Sequence, residues 1–211
     1  MSRLNPVLIA LTYLGPLSLA ALADQASVEK PKPPKTVTLI VAFDESKAQP
    51  DVLEALKSEL AEIWRGEPVK LNWRPLESIH PGDSFADLVV VHFKGDCHLH
   101  PLQPFLIDER GPQDRVLAYS PIVNGVVQPF SSVLCDPVER SVRSAMKPNQ
   151  RKSANRLYGR ALGRVLSHEL YHILNQTKEH EQQGLAKKSL TGQQLIAPAF
   201  HFGETGVHAG Q

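Results

Sequence analysis

The chain has 211 residues, of which 42% are hydrophobic, and its formal net charge at pH 7 is +1. This length and apolar fraction suffice for one substantial core or two small ones, so disorder throughout the chain is not expected. The near-neutral charge argues against a nucleic-acid partner, because such a protein normally needs a basic face.

The N-terminal residues predict a secretory signal peptide. Residues 1–23 contain one charge, at Arg3, then an apolar run broken by a Gly-Pro pair, and they end in small residues. This layout is typical of a cleaved signal. A membrane anchor is the alternative, because the run approaches the roughly 18 residues that span a bilayer. We therefore expect a secreted or periplasmic protein whose mature chain has no stable membrane insertion.

A linker and one folded domain are expected after the signal peptide. Residues 24–35 are rich in proline and lysine and almost free of apolar side chains, which is typical of an extended linker. The folded domain is expected over residues 36–211. Its two cysteines, Cys97 and Cys135, predict a disulfide in an exported chain, worth roughly 4 kcal/mol on the chain-entropy model. Two free buried thiols are the alternative.

The first half of the domain predicts a sheet with a crossover helix. Residues 36–43 are apolar and β-branched, which indicates a buried strand. Residues 49–66 have leucines at helical spacing, a proline near the start and a glycine at the end, and predict a helix. Residues 69–75 alternate between apolar and polar side chains, which indicates a strand with one solvent-exposed face. Residues 86–93 predict a central strand buried on both faces. The order predicts a mixed α/β fold of the α+β kind.

The second half begins with a predicted hairpin. Residues 115–121 and 125–136 predict two strands, and the Asn-Gly pair between them is a strong hairpin signal. A shorter helix is expected over residues 138–146.

A long helix is predicted over residues 153–176, where apolar side chains recur at helical intervals and Ser153 is the expected N-cap. Two glycines in it, Gly159 and Gly163, indicate close packing on the sheet, since each costs about 1 kcal/mol against alanine in a helix. Residues 191–202 begin with a Thr and a Gln in a capping-box relation and predict a last short helix.

Two histidines stand four residues apart on the predicted long helix, in the stretch HELYH. Such side chains project from one helix face about 6 Å apart, so His168 and His172 can share one zinc ion. Glu169 can reach a water on the metal without binding the metal itself. Two neutral nitrogens, an open position and an adjacent base are what a zinc hydrolase requires. A chance match is expected on the order of 0.01 to 0.03 times in such a chain, so coincidence explains the pattern poorly.

The HELYH motif, the further histidine soon after it and the preceding strand-helix-strand-strand order resemble the zincin metallopeptidases, and within them the metzincins. The resemblance covers residues 36–184. It implies a zincin-like mixed sheet, Zn²⁺ as cofactor and a peptide or protein as substrate. It also implies that His168 and His172 are zinc ligands, and that Glu169 is the general base that activates the attacking water. The cleft is then expected between the strands and the region after Asn175.

The third ligand departs from the metzincin pattern. Metzincins have a glycine three residues and a histidine six residues after the second ligand, where this chain has Asn175 and Lys178. His180, eight residues after His172, is the nearest histidine, and a left-handed Asn175 would turn the chain back towards the metal. A methionine turn is also lacking, because no methionine follows Met146.

Other residues remain open as the third ligand. They are Glu204, as in a gluzincin-like site, and His201 or His208. His201 is also a candidate for a contact with substrate or with the oxyanion. Two alternatives to a peptidase stay open: a structural zinc site closed by a fourth protein ligand, and a zincin-like binding domain without activity. The sequence does not determine the oligomeric state.

Several other residues are expected in structural positions. His98 and His100 could chelate a metal, but a surface loop beside the disulfide explains them better. His92 is expected as a satisfied core histidine in its strand. Tyr171 lies within the motif but faces away from both histidines, so we expect it to pack.

Overall fold

The computed structural model describes residues 35–43, 49–99 and 116–203. The predicted signal peptide and nearly all of the predicted linker lie outside the described residues. The same holds for His100 and for two of the alternative third ligands, Glu204 and His208.

The described residues form a mixed sheet, a separate small hairpin and four α-helices. Two short 3-10 helices, at Leu76–Ser78 and Pro148–Ser153, complete the regular structure. The strands are β1 (Lys35–Phe43), β2 (Val69–Pro75), β3 (Leu88–Lys94), β4 (Ala118–Tyr119), β5 (Ile122–Val123), β6 (Val126–Val127) and β7 (Phe130–Leu134). The helices are α1 (Pro50–Ile63), α2 (Cys135–Ala145), α3 (Ala154–Asn175) and α4 (Gly192–Ile196).

The sheet has five strands in the order β2-β1-β3-β7-β4. The first four are parallel, and β4 runs antiparallel to β7 at the edge. Helix α1 makes the crossover between the parallel strands β1 and β2. The predicted α/β fold is therefore confirmed: a mixed sheet, a crossover helix and a long helix that carries HELYH.

The central strand β3 is buried on one face only, so the prediction of burial on both faces is wrong. Val89, Val91 and Phe93 are buried and join the hydrophobic cluster that includes side chains of α1 and α3. The alternate residues Val90 and His92 are only half-buried. The helices stack on the face that carries the buried set, and an apolar run in the sequence cannot distinguish one covered face from two.

The two glycines of α3 pack against helix α1 and not on the sheet, which corrects the prediction. A Cβ atom at Gly159 would lie 2.2 Å from the carbonyl oxygen of Val52, and one at Gly163 would lie 3.0 Å from that of Leu56. Backbone atoms occupy the space that side chains would need. Glycine therefore allows the two helices to approach closely.

The Asn-Gly turn forms a hairpin, but not between the two predicted strands. Asn124 and Gly125 have φ values of 52° and 80°, as a two-residue hairpin turn requires, and they join β5 to β6. The second predicted strand is interrupted at Pro129, which has no N–H to donate to a strand ladder. The chain then resumes as β7 and pairs with β4, so the first predicted strand shrinks to two residues.

Helix α3 ends with a left-handed residue, but this residue is Gln176 and not the predicted Asn175. Gln176 has φ 49°, and its side-chain amide donates hydrogen bonds to the carbonyl oxygens of Val127 and Ile173. These two bonds offset the strain of a left-handed residue that is not glycine. At the other end, Ser153 occupies the N-cap position but makes no capping hydrogen bond through its side chain.

The predicted disulfide is present. Cys97 follows β3 and Cys135 begins α2, three residues earlier than the predicted helix start, and the two Cα atoms are 5.0 Å apart. A disulfide fits an exported chain, because reducing compartments keep thiols free. Within the three described ranges, no helix has both the length and the apolar content that crossing a bilayer requires.

Candidate metal centre

Helix α3 and the segment after it bring three histidines together. His168 and His172 lie one turn apart on α3, and His180 approaches them from the loop beyond the helix. One ligating nitrogen from each of the three lies within 4.8 Å of the others. The Nε2 atoms of His168 and His172 are 3.1 Å apart. A single ion with metal–nitrogen distances of about 2.0–2.1 Å could be held by such a group.

Two backbone carbonyls orient the helical histidines. The Nδ1 atom of His168 lies 2.8 Å from the carbonyl oxygen of Leu185, and that of His172 lies 2.8 Å from the carbonyl oxygen of Thr177. A carbonyl oxygen only accepts hydrogen bonds, so Nδ1 must carry the proton in both neutral rings. The Nε2 lone pairs are then free and face each other. Histidines that bind a metal typically donate the other ring N–H to a protein group in this way.

The loop that supplies these carbonyls is itself fixed by backbone hydrogen bonds. The N–H of Thr177 donates to the carbonyl oxygen of His172 at 3.1 Å, and the N–H of Glu181 donates to that of Ala186 at 3.0 Å. The N–H of Leu185 donates to the carbonyl oxygen of His201 at 2.9 Å. These hydrogen bonds fix the path of the loop after α3, and this path places the Leu185 carbonyl beside His168.

All three histidines are held in the neutral form that metal binding needs. Burial lowers the pKa of His168 to about 4, although its bond to Leu185 acts in the opposite direction. Burial is also the main cause that lowers the pKa of His172 and of His180, and the positive charge of Lys188 adds to the effect on His180. Near pH 7 the neutral form of these imidazoles is therefore favoured, and this is the form that binds a metal.

Glu169 lies beside the histidines and is held by one serine. Its side chain is buried, and the hydroxyl of Ser120 donates a hydrogen bond of 2.7 Å to its Oε2 atom. Burial raises the pKa of Glu169, whereas the bond from Ser120 lowers it. Ser120 follows edge strand β4, 49 residues before Glu169, and sequence reasoning missed it because no local pattern connects the two positions.

A cleft of about 1040 Å³ opens onto this group, lined by all three histidines and by Glu169. One group of lining residues, here the strand wall, consists of residues 116–120 with Ile122 and Val127. A second group of lining residues, here the loop wall, consists of Thr177, Lys178, His180 and residues 188–192. The cleft thus lies between strands and the region after Asn175, where it was expected.

Other candidate residues lie outside this group. His201 has an exposed side chain, and only its carbonyl oxygen acts here, through the bond from Leu185. Tyr171 packs as expected, with its ring stacked on Phe202 at 5.9 Å between centroids. The ring of His98 forms a hydrogen bond with the carboxylate of Asp96, beside the disulfide.

Neither protein-family models nor curated proteins gave a match to this chain. The resemblance to zincins therefore stays a prediction from the sequence, based on the HELYH motif, the histidine after it and the preceding order of strands and helix.

Proposed function

We propose that this protein is an exported zinc-dependent metallopeptidase of the zincin type. One observation supports the proposal most. His168 and His172 present free Nε2 atoms to one point, with their Nδ1 atoms bonded to backbone carbonyls, and Glu169 lies beside them in an open cleft. Two histidines that are neighbours only because of the helical repeat would need neither the two hydrogen bonds from Nδ1 nor an adjacent carboxylate.

The donor set fits zinc better than a hard cation. His168, His172 and His180 offer three neutral imidazole nitrogens, which suit zinc, whereas calcium and magnesium prefer oxygen ligands. Zinc held by three protein ligands lowers the pKa of a water molecule and polarises a carbonyl group. These three residues would hold the ion.

Glu169 would move the proton during peptide hydrolysis. Ser120 holds one carboxylate oxygen, which leaves the other oxygen to accept a proton from the attacking water. Burial raises the pKa of the carboxyl group, which favours its protonated form after the first transfer and so its second role as the acid that delivers the proton to the leaving nitrogen. The bond from Ser120 favours the carboxylate form, which the first transfer requires.

A structural zinc site fits the same residues less well. A closed site uses four protein ligands, whereas the metal-binding group formed by the described residues contains the three histidines alone. The three histidines also line the cleft, so a substrate could reach a metal that they hold. A binding domain without activity would have no need of a buried carboxylate held beside the histidines.

An exported location and a peptide substrate belong to the same proposal. The disulfide between Cys97 and Cys135 and the signal-like residues 1–23 both favour export. Edge strand β4 lines the cleft and could pair with an extended peptide.

Elemental analysis and a cleavage assay on unfolded protein test the proposal together. We expect one zinc ion per chain in the wild type. Glu169→Ala should keep the zinc and lose cleavage, and His180→Ala should weaken zinc binding as well as cleavage. His201→Ala is the matched control, because this exposed histidine lies outside the group, and it should change neither property.

Three results would contradict the proposal. A chain that takes up no zinc excludes the metal site itself. Zinc without cleavage in the wild type indicates a structural site. Cleavage by Glu169→Ala at the wild-type rate excludes Glu169 as the base.

A further inference from the structure

The two walls of the cleft differ in chemistry. The strand wall includes the aliphatic side chains of Val116, Leu117, Ile122 and Val127. The loop wall includes two lysines, and its other residues are mostly small, hydroxyl-bearing or the metal-binding histidine. A substrate in this cleft can therefore contact both apolar side chains and positive charge.

Both lysines are placed by the backbone that builds the metal centre. Lys178 lies between Thr177, whose carbonyl holds His172, and His180. Lys188 follows Lys187, which forms a bridge with Glu181 across the same loop. Lys188 is also near enough for its charge to act on the His180 imidazole. Both lysine side chains are exposed, so a ligand can reach them.

Basic side chains outnumber acidic ones among the described residues that line the cleft. Among the described residues that line it, Glu169 is the one acidic side chain, and Ser120 already donates a hydrogen bond to it. The two lysines outnumber this one carboxylate, and an excess of positive charge in a cleft attracts ligands of the opposite sign. A bound zinc ion would add to the positive charge.

We propose that Lys178 and Lys188 select peptides that carry a carboxylate next to the bond to be cleaved. This inference rests on the proposed peptidase function. The carboxylate belongs either to an Asp or Glu side chain or to the C-terminus of the substrate, since both present the same group to a lysine. Lys178 and Lys188 are thus specificity residues, and they take no part in the proton transfer by Glu169.

Peptide binding to the Glu169→Gln variant tests the inference without cleavage. Fluorescent peptides are compared in pairs, Glu against Gln inside the sequence and a free against an amidated C-terminus, so the two sources of carboxylate are separated. Each pair is measured with zinc bound and after chelation. We expect the carboxylate member of one pair to bind more tightly, by about two- to fivefold per lysine, as for an exposed ion pair.

Lysine variants assign the preference to the cleft. Lys178→Gln with Lys188→Gln should abolish the preference, and added salt should weaken it in the parent. Lys187→Gln is the matched control, because it removes the same charge from a neighbouring residue that does not line the cleft. It should leave the preference unchanged.

The outcomes separate this inference from the proposed function. Equal binding within both pairs, no binding of any carboxylate peptide, or an equal effect of Lys187→Gln would overturn the inference. If the wild type cleaves both members of each pair equally, the peptidase stands and the inference fails. If the carboxylate preference depends on both lysines but the wild type cleaves nothing, the cleft binds carboxylate peptides and the peptidase function fails.

Discussion

Lowering the pH should destabilise the metal-free protein through the three histidines of its candidate metal centre. An unfolded chain protonates a histidine near pH 6.5, whereas burial lowers the pKa of His168 to about 4. Between these values the unfolded state binds more protons than the native state, so the free energy of unfolding falls as the pH falls. Each pKa unit corresponds to about 1.4 kcal/mol, so His168 accounts for a loss of about 3 kcal/mol, complete below pH 4. His172 and His180 act in the same direction.

Urea denaturation of the chelated protein at a series of pH values measures this loss. The His168→Gln variant has no imidazole at that position, so its stability should fall less over the interval from about pH 6.5 to pH 4. Comparing the two proteins removes the contribution of carboxylates, which both share. Equal slopes for the two proteins, or a wild type that gains stability towards pH 4, would refute the assignment of a buried neutral His168.

Three further predictions concern other parts of the fold. Gly159→Ala should lower the free energy of unfolding by about 1–3 kcal/mol in urea titrations, because the new Cβ atom would meet the backbone of α1. Gly163→Ala has more room for the Cβ atom and should lower the free energy of unfolding clearly less. Equal effects of the two variants would contradict the packing of α3 on α1. Ser120→Ala removes the hydrogen-bond donor to Glu169, so the pKa of Glu169 should rise. In a plot of cleavage rate against pH, the acid limb should then move to higher pH, and an unmoved limb would contradict the contact. Replacing Cys97 and Cys135 together by serine should cost about 2–5 kcal/mol of stability, and an unchanged urea midpoint would deny the disulfide a stabilising role.

The elements with strong periodicity were predictable. The bounds of β2 agree with the prediction at both ends, and α3 differs by one residue at each end. The capping box of α4 also forms, with the hydroxyl of Thr191 accepting from the N–H of Gln194. These features depend on neighbours a few residues apart, so their physical causes are contained in short stretches of sequence.

Pairings between distant residues were less predictable. The turn at Asn124 and Gly125 was recognised, but its strands pair elsewhere once Pro129 interrupts the ladder. The end of α3 shows the same limit. Asn175 is the better residue for a left-handed conformation by itself, but Gln176 adopts it because its amide finds a carbonyl partner on β6.

The sequence by itself determined that His168, Glu169 and His172 share one helix, because their spacing matches the helical repeat. It also indicated His180, through the lack of a nearer histidine. Only the tertiary structure decided that the Leu185 carbonyl would orient His168 and that Ser120 would hold Glu169. These contacts depend on the path of the chain after α3 and on the position of the sheet edge, and both result from packing of the whole domain rather than from any short pattern of residues.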